Sequence, residues 1–435
     1  MSAHNPARVR RAQRQRRGGA LTTEVTESAP SSERPPPLRR LVEGVRDGGT
    51  FVITVLAFVC AIVVGAVLIV IADEPTRTAA SYFFAYPWDT FAAGWHAVSS
   101  GYIALFQGSV LDFGSFAGDS NVPILGPISD TLFNAAPLIL GGLSVGVAFR
   151  AGLFNIGGQG QLIAGAICAG YVGFIWHLPP VLHLLVALVA GIIGGAVWGG
   201  LAGWLKAQTG AHEVISTIML NYIALYLLYY LLSVPGFQAP ASNQAISLPV
   251  DENARLPHLL GSGLSVNAGL IVALLAALGC WWLLTRSTLG FRLRAVGANQ
   301  FAARTAGMSV PGSYITVMVI AGALSGLAGC AQILGGNNVA LTGDVDANIG
   351  FDAITVALLG RASPGGTVLA GILFGALRAG AVRMQAETGT PTEIVQVVQS
   401  VIVLFIAAPA LIRAIFRLRA SRGGGVTQLA KGWNG

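Results

Sequence analysis

The sequence predicts an all-α, polytopic integral membrane protein, and composition, hydropathy and the spacing of its apolar runs all support that class. Of the 435 residues, 54% are hydrophobic and 10% are charged, whereas soluble proteins carry about 25% charged residues. The mean hydropathy is +0.67. About ten apolar runs approach the roughly 20 residues that a transmembrane helix needs. Helices are expected because lipid offers backbone groups no hydrogen-bond partner.

Polar segments at both ends of the chain frame a transmembrane domain. Residues 1–49 are rich in Arg, Pro and Ser, a composition that cannot bury a core, so we expect a disordered basic tail in the cytoplasm. Residues 50–412 form the transmembrane domain, and 413–435 a cytoplasmic C-terminal tail. The expected spans are 51–72, 131–149, 156–176, 181–204, 214–232, 266–284, 313–334, 349–360, 366–384 and 392–412, of which 349–360 is shorter than an ordinary span.

Two stretches between the spans are more polar. Residues 73–129 carry acidic and aromatic side chains and are expected to form an extracytoplasmic insertion. Part of it, 96–110, is aromatic and moderately apolar, which favours a helix lying along the membrane interface, where Trp and Tyr are enriched. Residues 286–312 are basic, which places this loop on the cytoplasmic side.

Basic residues predict the orientation of the spans. With the N-terminus inside and the spans alternating, all but four of the 26 Lys and Arg residues fall on the cytoplasmic side. The exceptions are Arg77, Arg255, Arg378 and Arg383. The positive-inside rule therefore favours an even number of spans, with both termini in the cytoplasm. The net charge of +7 follows from the same pattern and does not indicate nucleic acid binding.

The stretch 150–166, RAGLFNIGGQGQLIAGA, places glycines and amides inside an apolar region. Closely spaced glycines let helices approach each other, as small residues do in membranes. Packing does not account for the amides, because an unpaired amide in hydrocarbon is costly. Irregular backbone at membrane depth is tolerated inside protein or beside a water-filled cavity. We expect an interrupted helix beside a solute path, with Asn155, Gln159 and Gln161 along it; helix packing is the alternative.

The glycines of this stretch do not form a nucleotide site. A Walker A loop needs GxxxxGK[ST], and neither Lys206 nor Lys431 stands in that setting; the spacing also misses GxGxxG. No HExxH, Ser-His-Asp order or paired carboxylates indicate an enzyme, and the four cysteines show no metal-ligand spacing. We expect no cofactor in this chain. If transport is driven by ATP, another chain must bind it.

Four stretches, in order along the chain, resemble the motifs of permease subunits of bacterial ABC importers, in the branch for nucleosides and simple sugars. They are RAGLFNIGGQGQ (150–161), AHEVISTIMLNYIALYL (211–227), LGFRLRAVGANQFAARTAGMSV (289–310) and PGGTVLAGILFGAL (364–377). The resemblance extends to the related branched-chain amino acid and ribose permeases. One departure is Gln159, where the family often has an acidic residue, so no charged substrate contact is expected there.

The basic loop resembles the coupling helix of that family, which meets the ATPase subunit. Its residues alone favour a short helix near 298–307, started by a capping Asn and ended by a Gly. A short cytoplasmic helix between two spans suits docking into a groove on a soluble partner. The expected coupling residues are Arg292, Arg294, Gly297, Asn299, Ala303, Arg304 and Gly307.

Four further residues are candidates for the solute path, each with a structural alternative. Asn221 and Tyr222 lie inside an apolar run, where they either line the path or bond one helix to another. Asn337 stands near the outer end of a span, in a capped turn or at a substrate contact. Asp352 is an ionisable group in an apolar segment, which is a functional candidate by default; the alternative is a solvated carboxylate at the outer edge of the membrane.

The resemblance implies a non-catalytic permease subunit that moves nucleosides or related simple sugars across the bacterial plasma membrane. It implies ABC ATPase subunits that hold ATP and magnesium, a second and paralogous permease chain, and a lipid-anchored extracytoplasmic binding protein. A ribose-type or other sugar permease is the alternative within the class. An ion-coupled secondary transporter is the alternative outside it, and it predicts ionisable residues at mid-membrane, of which the span centres are nearly free.

Overall fold

The computed structural model describes residues 50–114, 123–240, 244–261, 263–336 and 340–417. The predicted tail 1–49, most of the tail 413–435, residues 115–122 of the insertion and the candidate Asn337 lie outside these ranges. The described chain is helical, with one short 3-10 turn at Glu252–Ala254. The helices are α1 Thr50–Ala72, α2 Glu74–Ser81, α3 Pro87–Ser109, α4 Gly126–Arg150, α5 Gly158–Ile175, α6 Pro180–Thr209, α7 Glu213–Leu231, α8 Gly269–Arg286, α9 Thr288–Ala298, α10 Gln300–Thr305, α11 Val310–Gly335, α12 Ile349–Leu359, α13 Pro364–Thr388, α14 Thr392–Ala407 and α15 Pro409–Ile415.

Eight of the described helices are long and apolar enough to cross a membrane: α1, α4, α5, α6, α7, α8, α11 and α13. Two shorter apolar helices, α12 and α14, stand where the remaining two spans were predicted. The ten apolar segments therefore match the ten predicted ones to within a few residues at most boundaries. The prediction of an all-α polytopic membrane protein is confirmed.

The most extensively packed pair of helices is α6 with α11, and glycines make the contact close. A Cβ atom at Gly195 of α6 would collide with the carbonyl oxygen of Gly322 in α11. Gly191 and Gly199, four residues to either side, are similarly crowded. Residues four apart lie on one helix face, so these glycines form a groove that admits the α11 backbone. Such close approach is how helices associate in lipid, where no hydrophobic driving force acts between them.

Helix α12 is short because the chain reaches it through an irregular segment, 340–348. The segment starts beside the loop after α7, where the Leu341 amide donates to Ser247 Oγ at 2.8 Å. Helix α12 then runs parallel to α4, since Gly141 lies beside Ala353 and Gly146 beside Ala362. The irregular segment 340–348 and helix α12 together form one pass along the bundle. This explains why the apolar run 349–360 is shorter than an ordinary span.

The insertion 73–129 contributes helices α2 and α3. The sequence predicted an interfacial helix over 96–110, and the observed α3 begins earlier, at Pro87, a residue suited to a helix start. Helix α3 packs on α13 and α1, and the Tyr102 hydroxyl donates to the Ile62 carbonyl at 2.6 Å. Just after α3, Asp112 pairs with Arg383 of α13 at 3.0 Å. These contacts fix α3 to the helical bundle.

The last predicted span, 392–412, is not one helix. It is broken at Ala408, between α14 and α15. The cause is Pro409, which has no backbone N–H and disfavours helical geometry at the preceding residue. The backbone of Ala408 accordingly has φ −117° and ψ 69°.

Candidate functional site

The helical backbone breaks between α4, which ends at Arg150, and α5, which starts at Gly158. Residues 151–157 of this break are irregular and connect two separate spans, so the structure does not show the predicted interruption within one helix. Asn155 sits in this break and is fully buried. Its Nδ2 donates to Gln161 Oε1 at 3.0 Å, and its Oδ1 accepts from Gln161 Nε2 at 3.1 Å. The same Oδ1 accepts from the Gly157 amide at 3.1 Å. The two side chains therefore pair with each other and with the backbone that the break exposes.

Asn221 of α7 completes this group. Its Oδ1 accepts from the Gly160 amide at 2.8 Å, and its Nδ2 donates to the Ile156 carbonyl at 3.0 Å. We call Asn155, Gln161, Asn221 and the neighbouring Ser144 the amide cluster. The cluster bonds three helices across the break, as buried polar groups in membranes must be satisfied internally. Tyr222, the next residue, does not join it, because its side chain is 54% exposed on the surface of α7.

Gln159 points elsewhere, towards the irregular segment 340–348. Its Nε2 donates to Asp346 Oδ2 at 2.5 Å, and the same oxygen accepts from the Asn348 amide at 3.1 Å. The Gln159 Oε1 is buried and has no hydrogen-bond partner among the described residues. Asp346 did not stand out in the sequence, because it precedes the apolar run that drew attention to Asp352. The two irregular stretches of the fold thus meet at Gln159.

An ion pair lies inside the bundle, between α12 and α13. Arg378 Nη2 is 2.7 Å from Asp352 Oδ2, and the same nitrogen donates to the Ala347 carbonyl at 2.7 Å. Both residues lie within apolar helices, which tolerate them. The reason is local charge balance, because a paired and hydrogen-bonded charge is far less costly to bury than an isolated one.

A polar pocket of about 160 Å³ opens beside this ion pair, between α12, α13 and α14. The lining combines a balanced ion pair, three amides, two hydroxyls and two aromatic rings. We call it the ion-pair pocket, and its residues are Asn348, Phe351, Asp352, Thr355, Phe374, Arg378, Gln396, Gln399 and Ser400. Of the predicted path residues, the pocket contains Asp352 alone. The amide cluster and the pocket share no residue. Gln159 is linked to the pocket through Asp346, whose Oδ2 also accepts from the amide of the pocket residue Asn348.

The basic loop forms two helices where a single short helix was predicted. Helix α10, at Gln300–Thr305, matches the prediction, and Asn299 caps it by accepting from the amides of Phe301 and Ala302 at 2.9 and 3.0 Å. Gly307 ends it with φ +79°. The preceding helix α9, at Thr288–Ala298, was missed, since its sequence has no strong apolar periodicity.

The coupling residues divide into packed and exposed groups. Gly297 is packed on the end of α4, where a Cβ would meet the Arg150 carbonyl oxygen. Ala303 is buried. Arg292, Arg294 and Arg304 are exposed.

The sequence of this helical bundle matches a family of known proteins. The family described as branched-chain amino acid transport system / permease component matches residues 128–407. The chain belongs to this family. The match begins in α4 and ends with α14, so it includes the amide cluster, the ion-pair pocket and the basic loop. As an ABC permease component, the chain is a multi-pass transport subunit and not itself an enzyme.

Three relatives illustrate the similarity of this permease component to named transporters. It is 40% identical over 332 residues to a guanosine ABC transporter permease protein of Bacillus subtilis, covering 75% of this chain and 91% of that protein. It is 36% identical over 295 residues to a nucleoside ABC transporter permease protein of Lactococcus lactis, covering 66% and 81%. It is 36% identical over 288 residues to a glucose ABC transporter permease protein of Haloferax volcanii, covering 64% and 75%. No solved structure matches the chain significantly.

Proposed function

We propose that this permease component moves nucleosides or related simple sugars into the cell. Two of the three relatives are named for guanosine or nucleosides, and one for glucose. These solutes share a neutral sugar ring with several hydroxyl groups. A hydrogen-bonding lining without excess charge suits such a solute, because contacts with protein must replace its hydration on the way through.

The observation that carries the proposal is a group of exposed polar side chains at the apolar helices α12 and α14. Asn348, Gln396 and Ser400 are exposed at the mouth of the ion-pair pocket. Polar side chains facing hydrocarbon are costly, and irregular backbone such as 340–348 is tolerated beside a water-filled cavity. A water-filled solute path here would offer hydrogen-bond partners to the exposed polar side chains and to the irregular backbone. Lipid would offer none to either.

A second, paralogous permease chain would enclose this path from the other side. The support is that the pocket is open on the surface of the single chain, with Phe351 48% exposed beside it. In a bilayer the open side of this pocket must be shielded from lipid. A second permease chain of the same fold can shield it by placing its own polar side chains opposite. The path then lies between two permeases and not within one.

The remaining partners follow from the two ends of the bundle. The helices α4, α6 and α8 carry a basic residue in their last turns, at the end that also holds α9 and α10. We assign this end and both termini to the cytoplasm, with ATPase subunits on α10. Their ATP and magnesium belong to those subunits. The opposite end, with the long 232–268 connection, would receive the lipid-anchored binding protein.

Uptake by cells that express the whole transporter tests the proposed function. Labelled guanosine and glucose are supplied to cells with the intact system and to cells whose partner ATPase lacks its nucleotide-site lysine. We expect uptake of at least one solute that depends on the intact ATPase. Uptake of neither would contradict the solute class. Uptake that survives the ATPase change and is abolished by a protonophore would instead favour the ion-coupled transporter.

A further inference from the structure

We propose that the ion-pair pocket is a binding site for one hydroxyl-bearing sugar ring of the transported solute. The inference rests on the proposed function and makes it specific. It names the side chains that replace the water around the solute when the solute enters the permease. Three independent features of the pocket support it: an unpartnered buried amide, a balanced and fixed ion pair, and a size that fits a single ring.

The buried amide is Gln399, on the inner face of α14. The residue is 4% exposed, and among the residues that the structure describes its carboxamide makes no hydrogen bond. Because Gln399 lines the pocket, its donor and acceptor are free to bond a molecule that enters it. The neighbouring Gln396 and Ser400 lie on the same pocket wall, at helical spacing. The α14 wall therefore presents both donors and acceptors to whatever enters.

The ion pair supplies an oriented carboxylate without adding net charge. Both Arg378 Nε and Nη2 donate to the same oxygen, Asp352 Oδ2, at 3.2 and 2.7 Å. Arg378 is held in turn by the Ala347 carbonyl, so the guanidinium is fixed from two sides. Among the described residues Asp352 Oδ1 accepts no hydrogen bond, and it can accept one from a hydroxyl. Because the charges cancel, the pocket favours a neutral polyol over an anion or a cation.

Two aromatic rings and the pocket size complete the match to a sugar ring. Phe374 is fully buried at the pocket wall, and Phe351 is partly exposed near the mouth. A sugar ring carries hydroxyls on its edge and C–H groups on its faces. The amides can therefore hydrogen-bond the hydroxyls, and the aromatic rings can pack against the C–H groups. The volume of about 160 Å³ is below the roughly 300–1,000 Å³ of sites for drug-sized ligands. The pocket accordingly holds one ring, and the base of a nucleoside projects towards the open side.

A near-isosteric change of the buried amide tests the proposal in the whole transporter. Gln399→Met keeps the volume of the side chain and removes its donor and acceptor. Gln385→Met makes the same change on an exposed position of α13 outside the pocket, and serves as the control. We measure initial uptake of whichever probe the wild type carries, guanosine or glucose, against a deoxy analogue of that probe, and divide each rate by the amount of permease in the membrane.

We expect Gln399→Met to lower uptake of the hydroxyl-bearing probe about tenfold or more. The ratio of the uptake rate of this probe to that of its deoxy analogue should fall as well. Gln385→Met should match the wild type. Uptake and selectivity unchanged in Gln399→Met, with the wild type active, would overturn the pocket and leave the proposed function intact. If Gln399→Met does not reach the membrane, the milder Thr355→Val decides by the same two readouts. A wild type that carries neither probe contradicts the proposed function, and with it this assignment.

Discussion

At the scale of single residues, the amides at the connection between α4 and α5 have two different surroundings. Asn155 and Gln161 are buried and bonded to each other, so their first role is to satisfy backbone and side chains at the break. Gln159 is partly exposed and leaves one carbonyl oxygen without a partner among the described residues. We infer that the first pair maintains the fold, whereas a place for Gln159 beside the path stays a prediction.

We expect Asn155→Leu to destabilise the permease by about 1–3 kcal/mol, because Gln161 and the Gly157 amide would lose their partners. The thermal midpoint of the detergent-purified chain should fall, and less permease should reach the membrane. Gln159→Met should lower the thermal midpoint less, because the Asp346 carboxylate keeps the Asn348 amide as a donor, and it should reduce uptake. An equal loss of stability in both variants would contradict this division of roles.

The same residues show how far a sequence can predict a site. Three members of the amide cluster could be located, because Asn155 and Gln161 lie in one short motif and Asn221 in a second one. The ion-pair pocket could not, because Asp352, Arg378 and Gln399 stand on three helices. Hydropathy identifies each helix but does not say which of its faces meets which neighbour. Asp352 stood out as an acid in an apolar run, and its partners emerged only from the packing.

At the scale of elements, α12 is a short helix with left-handed backbone at both ends. Ala347 and Asn348 precede it with φ of 43° and 58°, and Arg361 and Ala362 follow it with φ of 54° and 49°. Each such residue costs of order 1 kcal/mol and persists where its surroundings hold it. Those surroundings are two arginines. Arg378 donates to the Ala347 carbonyl at one end, and Arg150 Nε donates to the Ala362 carbonyl at 2.9 Å at the other.

We expect Arg150→Gln to loosen the end of α12 and lower the thermal midpoint of the purified permease by several degrees. The physical reason is that the Ala362 carbonyl would lose a charge-assisted hydrogen bond, worth about 1.5–3 kcal/mol. Arg286→Gln is the matched control, because Arg286 is exposed at the end of α8. A thermal midpoint unchanged in Arg150→Gln would show that α12 does not need this contact.

The glycine groove between α6 and α11 makes a second prediction for elements. Gly195→Leu should prevent accumulation of the permease in the membrane, because the side chain would collide with the α11 backbone. Gly279→Leu in α8 should be tolerated, since nothing lies within 4 Å of a Cβ atom there. Immunoblots of membrane fractions compare the two variants. Normal accumulation of Gly195→Leu would show that the two helices do not pack as closely as described.

At the scale of the whole molecule, the loop α9–α10 is attached to the bundle at one end of its helices. Gly297 is packed on α4, and Ala303 is buried, so bulky residues at either position would disturb the permease itself. Phe301, which is 73% exposed, and the exposed Arg304 face outwards. These two side chains are better placed to meet an ATPase subunit.

We expect the double variant Phe301→Ala, Arg304→Glu to co-purify with much less ATPase while its abundance in the membrane stays normal. Removing an exposed aromatic anchor and reversing a charge both weaken an interface without affecting a core. Leu278→Ala, on the exposed surface of α8, is the control and should co-purify normally. Undiminished ATPase recovery with the double variant would place the docking surface elsewhere.

The most direct test of a solute path beside the ion-pair pocket is the reactivity of a cysteine placed there. Ser400→Cys and Leu278→Cys introduce thiols on two exposed helix surfaces, one beside the ion-pair pocket and one on the apolar surface of α8. A membrane-impermeant, hydrophilic thiol reagent is applied to the assembled transporter, with the wild type as the blank for its four native cysteines. We predict that Ser400→Cys is labelled, that transported solute slows the labelling, and that Leu278→Cys stays unlabelled. Labelling of Ser400→Cys no faster than that of Leu278→Cys would contradict a water-filled path beside the pocket.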